Sequence, residues 1–491
     1  MQYEIPQIII KISETTKKAG FEAYLVGGCV RDLMLHMKPK DWDITTNAKP
    51  EEIQGLFLKT VYENKFGTVA VINQDKDIEN DETLKVVEIT PYRLESKYSD
   101  KRHPDEVRFT GNLKDDLKRR DFTINAIAMD AVSHETVDLF EGQKDLKNKV
   151  IRTVGNPEDR FSEDALRLLR AVRFAVELGF SVSHETEQAI KKQAKLLKDI
   201  AQERIKDELV KMLMTDKPSD GIKMLYELGL LKFIIPELER GIGVKQNKAH
   251  MFNVWEHNLL SLDHAASKNW PLEIRIASLL HDVGKPASRR WSEEKKDWTF
   301  YSHEIIGAKM TYNILSRLKF SKKDIELISK LVRYHLFFSD TDKITLSAVR
   351  RTVRNIGPEN VWDLMKVRFS DRIGMGRPKE TPYRLRKYES MIDEAMRAPL
   401  SVSMLKIDGN KIMKILKINP GPKIGQILHI LLEEVLDEPE KNTEELLTKR
   451  VFELDSLNEN QLQKLGEEAK QKKNEIEGGE ISEIRKKWGV K

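Results

Sequence analysis

The sequence has a single cysteine, Cys29, among 491 residues. One thiol cannot close a disulfide within the chain, and a cysteine-based zinc cage needs several. No apolar run approaches the ~18 residues of a membrane-spanning helix, so no membrane partner is expected. The first twenty residues lack a basic start, an apolar stretch and a small-residue cleavage site, so no secretory leader is expected either. An excess of one charge is also missing. Lys and Arg number 84 against 79 Asp and Glu, a balance of +5, so a polyanion would be held by local basic patches. No internal repeat is visible. What is present, 40% hydrophobic residues, supplies several buried cores and excludes a wholly disordered chain. At ~150 residues per domain the length predicts about three domains. These features predict a soluble, cytoplasmic, multidomain protein.

The first third mixes periods. Residues 8–18 read as an amphipathic helix ended by Gly20, residues 50–57 as another helix, and 24–26, 41–45, 68–72 and 85–90 as strands bounded by turn residues. From Asn156 onward strand signals nearly vanish. Residues 163–178, 184–197 and 203–213 carry helical periodicity, as do most of 254–373 and 401–446. The last thirty or so residues, charge-rich and poor in apolar side chains, predict a long exposed helix or a frayed tail. The expected division is a head over 1–153, a neck over 154–245, a body over 246–376 and a tail over 377–491.

Four clusters carry chemistry. Gly27-Gly28-Cys29-Val30-Arg31 follows a strand and opens a helix. Glycines there let backbone approach a ligand, a helix start favours phosphate, and Arg31 can pair with its oxygens; an ordinary turn is the alternative. In Asp41-Trp42-Asp43, residues i and i+2 of a strand point to one face. Two carboxylates held together call for a cation, and Mg²⁺ prefers such oxygens. Glu88 could add a third carboxylate or be an edge residue. Arg119 to Asn125 places Arg120, Asp121 and Asn125 where a triphosphate and a ribose hydroxyl could be met; a surface feature is the alternative. In the fourth cluster Asp164, Arg167, Arg170 and Arg173 recur every third residue, with Leu166, Leu169, Val172 and Val176 on an apolar face. Successive steps of three drift around a helix, so Asp164 and Arg167 are expected to share one target. An ordinary ion pair of ~0.2–0.5 kcal/mol is the plain reading. The sharper one is base recognition. A carboxylate accepts from an exocyclic amine while a guanidinium donates to a ring acceptor, which admits cytosine and adenine and excludes uracil and guanine.

Six of the eleven histidines lie between His250 and His335. An apolar helical run over 274–280 ends in His281-Asp282, which gives two ligands a dry wall and an open face. His257 lies upstream, and His303, His335 and Asp371 downstream. Imidazole with carboxylate suits Mn²⁺, Fe²⁺, Ni²⁺, Co²⁺ or Zn²⁺ better than Ca²⁺; satisfied core histidines in a helical scaffold are the alternative.

In this order and spacing the four clusters resemble the class II tRNA nucleotidyltransferase/poly(A) polymerase family, the bacterial CCA-adding type. The resemblance implies an α+β fold: a palm-like head on a five-stranded sheet, then a mostly helical neck, body and tail. It implies addition of C, C and A to tRNA from CTP and ATP, without a nucleic-acid template, by two-metal transfer. Asp41 and Asp43 match the family's Mg²⁺ ligands. Gly28, Arg31 and Arg120 match its triphosphate contacts, Asp164 and Arg167 its base-reading pair, and Arg170 and Arg173 further nucleotide-site arginines. Residues 95–108 look like the flexible loop that relatives restricted to CC addition lack in part. The histidine block resembles the HD phosphohydrolase domain, with His257, His281, Asp282 and Asp371 matching its core ligands. His303 and His335 match the histidines that hold a second metal or grip phosphate. Relatives with this domain hydrolyse 2′,3′-cyclic phosphates and other phosphoesters. Asp408-Gly409-Asn410 and residues 420–425 resemble a piece of the family's tail. Arg350, Arg351, Arg354, Arg384, Arg386 and Lys387 are candidate RNA contacts or a solvated face. An enzyme adding only A, or tailing RNA with poly(A), is the nearest alternative.

Overall fold

The computed structural model describes residues 3–62, 67–73, 81–96, 106–248, 250–337, 344–397 and 402–490. Two compact units emerge, one from 1–335 with 366–378, the other from 336–365 with 379–491. No described helix is long and apolar enough to cross a membrane.

The first unit opens with the helix Gln7–Lys18, which buries Ile9 and Ile12. Nine strands follow: β1 Tyr24–Val26, β2 Asp43–Thr46, β3 Thr60–Tyr62, β4 Val69–Ile72, β5 Val86–Pro91, β6 Arg93–Ser96, β7 Glu106–Phe109, β8 Ile127–Met129 and β9 Thr136–Asp138. Seven form one mixed sheet in the order β3-β4-β5-β2-β1-β8-β9. This is two strands wider than the five expected. The extra strands, β3 and β9, are three residues each and continue the sheet by antiparallel pairing with β4 and β8. Within this sheet, among the described residues, only β2 and β5 run parallel, and their register sets Asp43 beside Glu88. Leu25, Val26, Ile44, Ile89 and Ile127 are fully buried, so the site is carried on the stiffest part of the unit. β6 and β7 form a separate antiparallel ribbon; residues 97–105, most of the expected flexible loop, lie outside the described residues.

Helices make up most of the remainder of this unit. The continuous helix expected over 163–178 is instead two, Pro157–Glu163 and Arg167–Leu178. Asp164 takes extended backbone angles (φ −137°, ψ 103°) and its carboxylate accepts from the Leu166 N–H at 3.1 Å. A residue that can cap its own downstream turn competes with the helix it sits in. Further on, Val254–Ser267 starts with a reciprocal cap between Asn253 and Glu256, and Leu272–Leu280, His303–Arg317 and Lys322–Tyr334 follow. Strand is sparse here, in line with expectation. Arg290–Ser292 and Asp297–Thr299 form a hairpin, and Val150–Ile151 pairs with Ser181–Val182.

The second unit is helical, including Leu346–Ile356, Tyr383–Met396, Pro422–Asp437, Glu444–Asp455 and the long Glu459–Lys487, the helical form of the two expected for the charge-rich end. Ile412, Ile427, Leu431, Val451 and Leu454 lie at its core.

Candidate functional site

The Gly27-Gly28 turn joins β1 to the helix Gly28–Met34, with Gly27 at φ 82°. That left-handed conformation favours glycine, and side chains crowd the turn: a Cβ on Gly27 would lie 3.3 Å from Arg120 Nη1 and 3.6 Å from Asp43 Oδ2. A Cβ on Gly28 would lie 3.6 Å from Asp41 Oδ1. Both carboxylates therefore face the turn, although Asp41 precedes β2 and only Asp43 is in the strand. Trp42 points the other way and is buried. Burial, then the charges of Asp41 and Glu88, push the Asp43 carboxyl up to about 7 against the pull of Arg120. A cation would relieve this crowding of negative charge, and the oxygen donors of those side chains fit Mg²⁺.

A cleft of about 1200 Å³ opens over this turn, lined also by Arg31, Arg120, Asp121, Asn125, Arg170 and Arg173. Each of these side chains is held. Arg31 donates to Asp32 (2.8 Å) and Asn125 (3.0 Å), and Arg120 to Asp116 (3.2 Å). Asp121 accepts from Arg170 at 2.8 Å; burial opposes its charge, but Arg170 and then Arg167 hold its carboxyl down to about 2. Arg173 donates to Glu208 (2.5 Å) and Glu177 (2.7 Å), and Glu177 also pairs with Lys40, next to Asp41 (2.6 Å).

Asp164 and Arg167 are not among the residues lining that cleft. Arg204 grips Asp164 with two bonds of 3.1 and 2.8 Å. Arg167 donates to Glu163 (2.6 Å) and to the carbonyls of Arg160 (3.1 Å) and Arg119 (3.2 Å). Sequence reasoning missed three residues here. Asp116, fully buried, also binds Arg119 (2.7 Å). Arg204 gave no signal. Phe174 collects the guanidinium groups of Arg31, Arg170 and Arg173 at 5.2, 5.3 and 3.9 Å from its ring centre; an aromatic residue off the apolar stripe, just after Arg170 and Arg173, was its signal.

The histidine block brings all six expected ligands together, buried, as two triads: His257, His281 and Asp371, and Asp282, His303 and His335. Asp282 stands between them. Its Oδ2 lies 3.1 Å from His257 and 3.4 Å from His281, and its Oδ1 lies 3.3 Å from His303 and 3.6 Å from His335. His281, His303 and His335 each set Nδ1 2.7–2.8 Å from the carbonyl three residues upstream. Donation there fixes the tautomer and turns Nε2 into the cluster, the usual arrangement around a bound metal. Gly284 allows the approach, since a Cβ would fall 2.2 Å from the His303 carbonyl. Burial disfavours a charged His281, yet Asp282 and Asp371 raise it to about 10. The carboxylates thus demand positive charge, and the donor set fits a transition metal. Lys285, a further buried residue, pairs with Asp282 at 2.5 Å and donates to Gln246 at 2.6 Å.

Comparison with known proteins matches three family models: "Poly A polymerase head domain" over residues 23–152, "Probable RNA and SrmB- binding site of polymerase A" over 179–242, and "HD domain" over 249–392. The CCA-adding enzyme of Lactobacillus helveticus is 34% identical over 460 residues, 92% of this chain and 99% of that protein. The CCA-adding enzyme of Enterococcus faecalis is 46% identical over 226 residues, 46% of this chain and 53% of its own. Among solved structures, the Bacillus stearothermophilus CCA-adding enzyme in complex with CTP matches with a TM-score of 0.58 at 28% identity, covering 91% of this chain and 97% of that one. The Thermotoga maritima CCA-adding enzyme complexed with tRNA shares the fold, with a TM-score of 0.54 at 20% identity, covering 92% and 97%.

Proposed function

We infer, from the premise that this chain belongs to the CCA-adding enzyme family, that its head adds C, C and A to the 3′ end of tRNA, consuming CTP and ATP and releasing pyrophosphate. The observation that carries the reading is the convergence of Asp41 and Asp43 on a glycine turn inside an arginine-lined cleft. Mg²⁺ held by those two carboxylates would activate the tRNA 3′-hydroxyl and offset charge on the leaving pyrophosphate. The chain's own residues do the positioning. Arg31 and Arg120, braced by Asn125 and Asp116, meet the triphosphate. The 3′-oxygen then attacks the α-phosphorus in line, the bond to the β-phosphate bridging oxygen breaks, and the hydroxyl proton leaves to solvent.

Asp164 and Arg167, outside the lining of that cleft, are the pair that the family resemblance assigns to base reading. Three of the five Arg167 N–H groups are used by Glu163 and two carbonyls, which leaves Nε–H and one Nη2–H for a ring acceptor. The Arg204 grip orients the Asp164 carboxylate while further lone pairs remain to accept from an exocyclic amine. Supplying each nucleoside triphosphate singly to tRNA ending before CCA, after the first C and after CC tests the reading. CTP should be used twice, then ATP once. ATP use on all three ends would point to an A-adding or poly(A) enzyme, and full activity of Asp41→Ala with Asp43→Ala would remove the metal assignment.

The two triads around Asp282 favour a second reaction, phosphoester hydrolysis. A transition metal such as Ni²⁺, Mn²⁺, Fe²⁺ or Co²⁺ would supply an activated water there. With a 2′,3′-cyclic phosphate the water oxygen bonds to phosphorus, one ribose P–O bond breaks, and the proton passes to the freed ribose oxygen. Failure to open such a ring with each of these metals would refute it.

A further inference from the structure

The hairpin Arg290–Ser292/Asp297–Thr299 has no role in either reaction as described so far, yet it is built into the wall of the histidine cluster. It starts two residues after Ser288, at the end of the short helix that carries Lys285, and ends four residues before His303. The Phe300 carbonyl faces His303 Nδ1 at 2.7 Å. Lys285 Nζ lies 5.7 Å from the Phe300 ring centre. At its other edge Asp297 accepts from the Lys248 backbone N–H at 3.1 Å, next to the segment that leads to His250, whose ring packs edge-on against His257 at 5.1 Å.

One face of this two-stranded ribbon is aromatic and open. Trp291 and Trp298 are directly paired across the strands, with ring centres 5.2 Å apart at 74°. The Arg289 guanidinium lies 3.5 Å over Trp298. Trp291 remains 49% exposed and Tyr301 69% exposed, with Lys295 donating to the Tyr301 hydroxyl at 2.8 Å. A cross-strand tryptophan pair stabilises a hairpin, but that role does not require half of Trp291 to face water. The strand-to-strand segment is also not acidic: Arg289, Arg290, Lys295 and Lys296 stand against Glu293, Glu294 and Asp297, and Asp297 is committed to backbone N–H groups.

We propose that Trp291, with the Arg289–Trp298 stack behind it, forms a stacking platform for the terminal base of a single-stranded RNA 3′ end whose 2′,3′-phosphoester enters the histidine cluster. The inference rests on the hydrolase reading and narrows its substrate from phosphoesters at large to the phosphorylated end of RNA. Unpaired bases are recognised by stacking on aromatic rings and guanidinium planes, and the partner established for this family ends in such a strand.

The test uses the full-length protein with Mn²⁺ and a short oligoribonucleotide ending in a 2′,3′-cyclic phosphate, its last base 4-thiouridine. Irradiation should cross-link that base within residues 289–301, Trp291→Ala should abolish the cross-link, and Trp291→Phe should keep it. In parallel, kcat/KM for the ordinary oligonucleotide over one with an abasic last residue should fall about tenfold in Trp291→Ala and recover in Trp291→Phe. A cross-link elsewhere, or an unchanged ratio, overturns the platform while the hydrolase reading stands. Absence of turnover refutes the hydrolase instead, and the cross-link, which needs no turnover, still decides the platform.

Discussion

Phe174 is predicted to set the affinity of the head for nucleoside triphosphates without touching the reacting atoms. Its ring, buried at 4% exposure, faces three guanidinium groups, one at 3.9 Å and two just beyond 5 Å. Each such contact contributes ~0.5–1 kcal/mol when exposed and ~2 kcal/mol or more when desolvated. Arg173, the nearest, is also tied to Glu208 and Glu177 and keeps its place by those bonds. Arg31 and Arg170 are likewise held, by Asp32 and Asn125 and by Asp121. The ring supplies all three with cation–π attraction, so a combined loss of ~1.5–2 kcal/mol in triphosphate binding is expected, roughly 10- to 30-fold. Leucine keeps the burial and loses the ring quadrupole. Phe174→Leu should therefore raise KM for CTP and for ATP by about tenfold or more, with a much smaller change in kcat. The assay is single-nucleotide incorporation on tRNA ending before CCA and after CC. Leucine also loses the edge contact with Phe122 at 5.7 Å, so a parallel series replaces Phe174 with mono-, di- and trifluorophenylalanine. These keep the shape and weaken the ring's attraction for cations step by step. KM rising with each fluorine would establish the effect. A flat series, or a leucine variant with KM within about twofold of the parent, against the tenfold expected from the ring contacts, would refute it.

Asp116→Asn should destabilise the first unit by about 2–3 kcal/mol in urea unfolding, because it leaves the Arg119 and Arg120 guanidinium groups, each 17% exposed, without their buried counter-charge. The same change should raise KM for both nucleotides, since Arg120 loses the partner that holds it beside the glycine turn. Glu389 in the second unit is buried, and burial, then Asp393 and Glu380, raise its carboxyl from 4.5 to about 7 against Arg386 and Lys487. The folded state then binds more protons than the unfolded one between those values, so stability falls as pH rises through that window. Glu389→Gln should stabilise the protein by ~1–3 kcal/mol at pH 8 and leave it unchanged at pH 4, read from thermal melts; equal gains at both pH values would contradict this charge balance.

The elements visible in the sequence were those whose apolar runs matched one period. β1 coincides with the expected 24–26, and β4 and β5 lie within a residue of expectation because Val69, Val71, Val87 and Ile89 must all be buried. β8 was hidden by its composition, Ile-Ala-Met, directly after the Arg-Arg-Asp cluster. β9 and the ribbon β6–β7 are short and rich in polar residues, and tertiary pairing, not local pattern, makes them strands. The break at Asp164 was masked because Glu163 and Leu166 both suit a helix; what decides it is the Asp164 side chain bonding to its own downstream N–H. The signal at Phe174 was partial: it lies off the stripe of Leu166, Leu169 and Val172, and only the fold brings Arg31 to the ring beside Arg170 and Arg173. The histidine ligands were legible for a geometric reason. His281, His303 and His335 sit at or beside helix ends, where a side chain can turn inward and its Nδ1 can meet a carbonyl three residues back. The hairpin between them has no such regular signature.

The two ligand sets also differ in how their charge is balanced, and that difference can keep two metal chemistries apart in one chain. At the glycine turn Asp41 and Asp43 offer oxygen donors only, with the charge of Glu88 nearby, and the compensation is Arg120, which Asp116 shares. Such a set favours a hard cation that brings its own charge and takes further oxygens from phosphate. Around Asp282 four imidazoles stand with two carboxylates, whose charge Lys285 and Arg368 offset only in part, so nitrogen donors outnumber carboxylates in the cluster. Borderline metals bind mixed nitrogen and oxygen donors far better than Mg²⁺ does, and the dry, helix-end setting of the histidines leaves little room for the waters that Mg²⁺ retains. Donor type alone therefore sorts the ions. On the proposed reading, Mg²⁺ would go to the head and a transition metal to the histidine cluster, without any need for either site to exclude the other's ion by size.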